Sequence, residues 1–270
     1  MEKEKKDEFK LSDIQKKIIR DGLLPSSPLI NFIEYEKIYV DLDSILSIFI
    51  RFPIPEDKEE RMDLITNIMG AFKEFFTIYG ESHMIILKHG FKPEVFKKVY
   101  PKWQKVREER LLNEVVLNFI THELLPRFRR IASKMENIFL EEWSEAFLID
   151  IMQSFELNDN AKKSIVISRN PQSICLLAYY DANIYNGSKI ITKDNYRSVK
   201  NYPDVDRSFI PVWFLIRGDE RNEYKGVSKY GIKKTNDFIN KNKIECVDLS
   251  HDLFKKIKEY KNLYFLKEWI

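Results

Sequence analysis

Cysteine and long apolar runs are both scarce in this sequence of 270 residues. The 2 cysteines, Cys175 and Cys246, stand in apolar surroundings, which argues against a disulfide framework and for buried thiols in a reducing compartment. No apolar run approaches the length of a membrane span, and no apolar stretch follows the charged residues 1–6. We therefore expect a cytoplasmic protein with no secretion signal and no membrane partner.

An excess of one charge is also missing. Lys and Arg number 45 and Asp and Glu number 42, so the formal net charge is only +3. This total does not demand a nucleic-acid partner, because a local basic patch matters more than the sum. Hydrophobic residues make up 44% and charged residues 32% of the chain, which predicts a sizeable core rather than global disorder.

Short apolar segments alternate with helical periodicity along the chain. This alternation predicts an α/β fold with a mainly parallel central sheet flanked by helices. In such sheets the functional residues gather at the carboxyl ends of the strands. The predicted strands are Lys37–Leu42, Met84–Leu87 and Ser164–Ser168, with a hairpin at Asn183–Thr192 around Gly187, and the predicted helices are Glu56–Tyr79, Pro93–Met135, Phe139–Phe155 and Ser173–Tyr180.

Glycine is scarce as well, with 8 in the chain, but three glycines lie within residues 217–236. Gly218 follows the apolar run Phe209–Ile216, and Gly226 and Gly231 precede an amphipathic segment that begins near Lys233. Glycine permits positive φ and close backbone approach, and the free N–H groups of a helix start bind anions. This pattern favours a clamp for backbone phosphates, and an ordinary loop before a surface helix is the alternative. The lysines around it are Lys225, Lys229, Lys233 and Lys234.

Two acids lie at the end of the first predicted strand. Asp41 directly follows the apolar run Ile38-Tyr39-Val40 and Asp43 comes two residues later, which is the usual place for a metal site in an α/β fold. The same acids also fit a helix cap, because a predicted helix begins at Ser44. The residues alone leave both interpretations open.

The glycine-rich segment resembles the Gly-Asp-x-x-Asp-Asn-x-x-Gly-Val-x-Gly-Ile-Gly-x-Lys-Thr-Ala segment of the 5′-nuclease (flap endonuclease) family, which has a PIN-like fold. The resemblance implies a helix–three-turn–helix that grips the backbone of duplex DNA, often around a potassium ion. This chain has Asn222-Glu223 where the family has Asp-Asn, and Lys229-Tyr230 where it has Gly-Ile. The matching residues are Gly218-Asp219, Gly226-Val227, Gly231 and Lys234-Thr235.

Residues 84–110 resemble the bacteriophage ribonuclease H-type members of that family. The resemblance implies a helical arch, at about residues 93–135, through which single-stranded DNA passes. Cations hold phosphates and aromatic faces stack on bases, although a solvated helical face with Trp103 half buried would look similar. The basic and aromatic residues of the segment are Lys97, Lys98, Tyr100, Lys102, Trp103, Lys105, Arg107 and Arg110.

The family hydrolyses phosphodiesters with two divalent metal ions held by carboxylates. The resemblance aligns three acids of this chain with family positions, Asp41, Glu145 and Asp219. It therefore implies a degenerate site that requires no cofactor, with room for one weakly held Mg²⁺ at Asp41 and Asp219 and for K⁺ at the turn. Residues that are not acids stand at the other family positions, namely Lys88 or His89, Phe147, Leu148, Asn170 and Gln172.

These features predict three regions, a helical extension over 1–34, a 5′-nuclease-like α/β domain over 35–205 and a helix–three-turn–helix region with a tail over 206–270. The function that we expect is a catalytically impaired or inactive 5′-nuclease-like protein that binds duplex, flap or branched DNA. One alternative is an active metal-dependent 5′ exonuclease or flap endonuclease with a rearranged acidic site. Another is a protein-interaction subunit of a replication or transcription assembly. The resemblance also suggests a phage or viral origin, with the infected host cell as the location.

Overall fold

The computed structural model describes residues 32, 34–42, 54–79, 83–89, 118–143, 161–218 and 226–242. Most of the predicted N-terminal extension, the tail after residue 242 and most of the predicted arch lie outside these residues. Within the described part of the chain, no helix is long and apolar enough to cross a bilayer.

A six-stranded sheet forms the centre of the described chain. Its strands lie side by side in the order β3 (Ile138–Trp143), β2 (His83–His89), β1 (Lys37–Asp41), β4 (Ser164–Ile167), β5 (Asn183–Tyr185) and β6 (Ile190–Ile191). The central strand β1 is parallel both to β2 and to β4. Tyr39 is in register with Ile85 on one side and with Val166 on the other. Apolar runs such as these are typical of parallel strands that are covered on both faces. The prediction that the three strands are neighbours in one largely parallel sheet is confirmed.

The far edge of the sheet is the predicted hairpin. Strand β5 (Asn183–Tyr185) is parallel to β4, and β6 (Ile190–Ile191) returns antiparallel to β5. The Asn186 side chain accepts the N–H groups of Ser188 and Lys189, both at 3.1 Å, which closes the turn. Gly187 supplies the positive φ of 89° that this turn requires.

Strand β3 (Ile138–Trp143) corrects one expectation. The periodicity of Phe139–Phe155 favoured a helix, but residues 138–143 pair in parallel with residues 84–89 of β2. This strand is stabilised by hydrogen bonds to β2, which is distant in the sequence, and its own apolar run is short. The local pattern therefore did not distinguish it from the helix. The segment I-F-L-E-E-W therefore lies at the edge of the sheet, and residues 144–155 lie outside the described part.

Helices cover one face of the sheet. Helix α1 (Lys58–Tyr79) agrees with the prediction, and Asp57 begins it by accepting the N–H groups of Glu59 and Glu60 at 2.9 and 3.2 Å. A π-helical turn, Phe119–Leu124, leads into α2 (Leu125–Ala132), so the described end of the predicted 93–135 helix is helical. Phe72 of α1 and Phe128 of α2 meet edge to face at 4.6 Å in the core against the sheet.

A second core joins the other face to the C-terminal helices. Helix α3 (Ile174–Tyr180) follows β4, as predicted, and packs with α4 (Ile210–Arg217) and α5 (Ile232–Asn242). Ile184 of β5, Trp213 of α4 and Ile239 of α5 are buried in this one cluster. The α4–α5 helix pair is thereby held against the β4–β6 side of the sheet.

Candidate functional site

Asp41 lies at the carboxyl end of the central strand and is 1% exposed. The Ser168 hydroxyl, just past the end of β4, donates a hydrogen bond of 2.7 Å to Asp41 Oδ2. The same hydroxyl oxygen accepts the Asn170 N–H at 3.0 Å. The first family-like acid is therefore buried and held by a serine of the neighbouring strand.

The neighbouring strands bring different residues to this edge. In β2, Leu87 is in register with Asp41, and Lys88 and His89 follow it, so no acid stands at the carboxyl end of β2. In β3, Glu141 and Glu142 are in register with Leu87 and Lys88. Sequence reasoning missed these two acids because it assigned their segment to a helix. The signal was an apolar run followed by acids, the same pattern that pointed to Asp41.

The turn after β4 carries amides where the family has carboxylates. Asn170 precedes a 3₁₀ turn, Pro171–Ser173, and the Ser173 hydroxyl donates to the Asn170 carbonyl oxygen at 2.6 Å. Gln172 lies within the same turn. An amide offers an oxygen but no negative charge, so it does little to balance a divalent cation.

Glu145 and Asp219 lie outside the described residues, so their convergence with Asp41 stays a prediction. In the described part, no group of three or more His, Cys, Asp or Glu side chains is placed to hold a metal ion. Strands β1 and β4 contain a single carboxylate, Asp41, and the turn after β4 carries Asn170 and Gln172, so these two strands do not fit a two-metal centre.

The second predicted site is the turn between α4 and α5. The apolar run that precedes Gly218 folds as α4, and Gly218 ends this helix with a φ of 85°. Residues 219–225 lie outside the described part. The chain then returns to the end of α4, where the Val227 N–H donates to the Ile216 carbonyl oxygen at 2.8 Å.

Gly226 is the glycine on which this turn depends. Its φ is 57°, and a Cβ built on it would lie 2.5 Å from both the Gly218 nitrogen and the Ile216 carbonyl oxygen. Gly231 does not have a positive φ, and a Cβ there would have nothing within 4 Å. Lys229, which replaces a family glycine, has a φ of 69°. The altered turn therefore keeps a left-handed residue, with a lysine in place of glycine.

Helix α5 begins directly after this turn. The Thr235 N–H donates to the Gly231 carbonyl oxygen at 2.9 Å, so residues 232–234 form the first turn of the helix. The N–H groups of a first turn have no acceptor within their own helix. No acid lies in this turn, whereas Lys229, Lys233 and Lys234 are all exposed around it. The helix start and the lysines together form a positive surface suited to an anion.

Tyr230 steadies the approach to α5. Its ring meets Phe238 of α5 edge to face at 5.5 Å, and Lys234 Nζ lies 4.6 Å from the centre of the same ring. The family segment has isoleucine at this position. The Tyr230 ring provides both the apolar contact with Phe238 and a ring face that attracts the Lys234 ammonium group.

Hydrogen bonds to Asn236 hold α5 to α4 and to the segment that precedes α4. Trp213 Nε1 donates to Asn236 Oδ1 at 2.7 Å, and the Asp204 N–H donates to the same oxygen at 3.3 Å. Thr235, predicted from the resemblance as a DNA-binding residue, is fully buried, and its hydroxyl has no hydrogen-bond partner among the described residues. Its side chain belongs to the packing between the helices rather than to the exposed surface.

Asp206 begins the segment that leads into α4. Its carboxylate accepts the backbone N–H and the hydroxyl of Ser208 at 3.1 and 2.9 Å. These two hydrogen bonds from Ser208, the backbone one first, lower the pKa of the Asp206 carboxyl below its ordinary value. The carboxylate is thus favoured at the start of the 3₁₀ turn Arg207–Phe209.

The predicted arch residues lie outside the described part of the chain. This applies to every candidate DNA-binding residue of that segment, namely Lys97, Lys98, Lys102, Trp103, Lys105 and Arg107. Their contacts with DNA stay a prediction.

Solved structures share this arrangement of strands and helices. The chain is similar to the T5 5′-exonuclease with bound zinc, with a TM-score of 0.61 and 15% identity over 86% of this chain and 85% of that one. It is also similar to an aspartate-to-lysine variant of the bacteriophage T5 flap endonuclease, a pseudo-enzyme–product complex with DNA and metal ions, with a TM-score of 0.57 and 15% identity over the same shares. The chain has a 5′-nuclease fold.

This likeness confirms the predicted α/β fold of PIN-like type. No protein-family model matches the chain, and no curated protein sequence matches it. At identities of 14–16%, the likeness to the T5 structures shows the fold alone.

Proposed function

We propose that the chain is a 5′-nuclease-like protein with an impaired or inactive catalytic site that binds duplex or branched DNA through the phosphate backbone. The observation that carries the proposal is the start of α5. Three exposed lysines, Lys229, Lys233 and Lys234, surround a helix N-terminus that has no acid in its first turn. Phosphate groups are the anions that a duplex offers at regular spacing, and contacts to them are independent of base sequence.

The edge of the sheet supports the loss of catalysis. Strand β2 ends in Lys88 and His89, and the turn after β4 carries the amides Asn170 and Gln172, where carboxylates would be needed to hold two metal ions. Without those carboxylates, the ends of β2 and β4 supply no negative charge to balance two divalent ions. DNA binding at α5 does not need them, because the helix start and its lysines act on phosphate directly.

The DNA-binding proposal is tested with the variant Lys233→Ala/Lys234→Ala on flap, nicked and linear DNA. We expect weaker binding to every DNA sequence, and a salt dependence of log K that is less steep by about one unit per lost phosphate contact. Lys73→Ala is the matched control, because Lys73 is an exposed lysine on α1 in the other half of the fold. Affinity would be measured over a series of salt concentrations.

A Lys233→Ala/Lys234→Ala variant with the affinity and salt dependence of the wild type would mean that this turn does not hold DNA. The chain would then be better explained as a protein-interaction subunit of a replication or transcription assembly that kept only the fold. Repeating the titration with K⁺ in place of Na⁺ tests the potassium ion that the resemblance implies at the turn.

The catalytic proposal predicts little or no cleavage. With Mg²⁺ or Mn²⁺, the purified protein should leave flap and duplex DNA intact, because Asn170 and Gln172 cannot supply the charge of two aspartates. The assay follows 5′-labelled DNA with each metal and with a chelator. Robust metal-dependent cleavage that disappears in Asp41→Ala would refute the loss of catalysis.

A second candidate function is an active nuclease with a rearranged acidic site. The observation that favours it is the register of β3, which brings Glu141 and Glu142 to the same sheet edge as Asp41. If cleavage is seen, Glu141→Gln and Glu142→Gln are the variants that separate this arrangement from one built on Glu145 and Asp219.

A further inference from the structure

Two basic residues, Arg169 and Lys189, lie at the carboxyl edge of the sheet on the side of β4 and β5. Arg169 directly follows Ser168, whose hydroxyl is bonded to Asp41. The Arg169 side chain crosses the neighbouring β5–β6 turn, because its Nε, Cγ and Cδ lie 3.6, 3.7 and 3.8 Å from the position of a Cβ on Gly187. The absence of a side chain at Gly187 therefore leaves room for the Arg169 side chain from Cγ to Nε.

The β5–β6 turn is itself well held at this edge. Tyr185 of β5 is in register with Ile167 of β4, and the Ser168 N–H donates to the Tyr185 carbonyl oxygen at 3.0 Å. Lys189, in the same turn as Gly187, is exposed, and its N–H is fixed by Asn186. Arg169, which follows β4, thus lies over the β5–β6 turn that carries Lys189, and β4 is the strand next to the one that carries Asp41.

We propose that Arg169 and Lys189 form a phosphate-binding site at the carboxyl edge of the sheet that works without a metal ion. The inference rests on the proposed DNA-binding function and names a second place where a strand's phosphate is held. In two-metal nucleases, cations at this edge neutralise the phosphate. Here a guanidinium, which binds phosphate through two parallel N–H groups, and an ammonium do so.

The amides of the β4 turn fit this assignment. Carboxylates at Asn170 and Gln172 would repel a phosphate in the absence of metal ions, whereas neutral amides do not. Asp41, the acid at the end of β1, is buried and accepts the Ser168 hydroxyl, while Arg169 is exposed. A phosphate that approaches the edge from solvent is therefore more accessible to the Arg169 side chain than to the Asp41 carboxylate.

The test measures DNA affinity over a salt series in the presence of a metal chelator. We expect about a tenfold loss of affinity for Arg169→Ala, and a salt dependence less steep by about one unit for each of Arg169→Ala and Lys189→Ala. Arg169→Lys should keep the steepness of the wild type and lose part of the affinity, because it keeps the charge without the paired N–H groups. Lys162→Ala is the control, since Lys162 is 77% exposed at the opposite end of β4.

A second measurement separates this inference from the DNA-binding function. Inorganic phosphate, compared with sodium chloride at equal ionic strength, should raise the melting temperature of the wild type and of Lys233→Ala/Lys234→Ala, and should raise that of Arg169→Ala by less, because only the α5 site would then bind phosphate. If phosphate stabilises the wild type and Arg169→Ala equally, or if Arg169→Ala binds DNA as the wild type does, the inference is wrong while binding at α5 can still stand. If the wild type binds no DNA but shows the Arg169-dependent stabilisation, the proposed function fails and the phosphate site holds.

Discussion

Replacing Gly226 with serine should lower the free energy of unfolding by about 2–4 kcal/mol, whereas the same replacement at Gly231 should change it by less than about 0.5 kcal/mol. The two glycines lie in one turn, five residues apart, and differ in backbone conformation and in space. This pair of variants therefore tests the geometry of the turn with the chemistry of the substitution held constant.

The difference arises from contacts and from φ. A serine Cβ at Gly226 would lie 2.5 to 2.7 Å from backbone atoms of residues 216–218, so either the end of α4 or the turn must shift. The φ of 57° adds about 1–2 kcal/mol of strain for a residue that carries a side chain. At Gly231 there is open space, its carbonyl accepts the first bond of α5, and a serine there would be a good helix cap.

Urea unfolding of both variants gives the two free energies, and thermal unfolding gives the corresponding shifts. A loss of this size lowers the melting temperature by about 5–15 °C in a protein of this length. Because α5 begins at the turn, the DNA affinity of Gly226→Ser should be lower than that of the wild type, and the affinity of Gly231→Ser should be unchanged. Equal stability of the two variants would show that the turn does not have the conformation described here.

The glycine pattern of the sequence predicts this turn, but it does not distinguish Gly226 from Gly231. The structure gives positive φ to Gly226 and Lys229 and not to Gly231. The propensity of lysine gives no sign of this conformation, and the only sequence signal is that the family segment has glycine at this position.

The sheet shows which interactions a single sequence reveals. Strands β1, β2 and β4 were predictable because each is a short apolar run, and their parallel order followed from the helices between them. Strand β3 was not, since its apolar run, residues 138–140, is only three residues long and continues into a segment with helical periodicity. Because the segment of β3 was predicted to be a helix, Glu141 and Glu142 were not predicted to lie at the sheet edge. The acids of this edge were therefore only partly predicted.

The site was predictable where a motif carries its own geometry. Asp41 at a strand end is one such case, and the ordered family resemblance identified the amides at Asn170 and Gln172. The Ser168–Asp41 bond and the crossing of Arg169 over Gly187 depend on the packing of β4 beside β1 and β5. Contacts of that kind between strands leave no local pattern in the sequence.

Truncating Trp213 to alanine should have the other large effect, a loss of about 3–5 kcal/mol of stability. The Trp213 indole is 3% exposed in the core that joins α4 to α5, and its N–H donates to Asn236 at 2.7 Å. Asn236→Ala keeps the indole in place but removes its acceptor, so it should cost about 1–3 kcal/mol, the penalty for a buried unpaired donor. Urea unfolding of each variant gives these values.

A double-mutant cycle isolates the hydrogen bond from the packing. Trp213→Phe keeps a ring in the core and removes the donor, so adding Asn236→Ala to it should cost about 1–2 kcal/mol less than in the wild type. Trp213→Phe and Asn236→Ala should each also weaken DNA binding without changing its salt dependence, because they loosen α5 against α4 and remove no phosphate contact. Additive free energies in the cycle would show that the two side chains are not coupled. A reduced salt slope would instead mean that losing this bond displaces the lysines from the DNA.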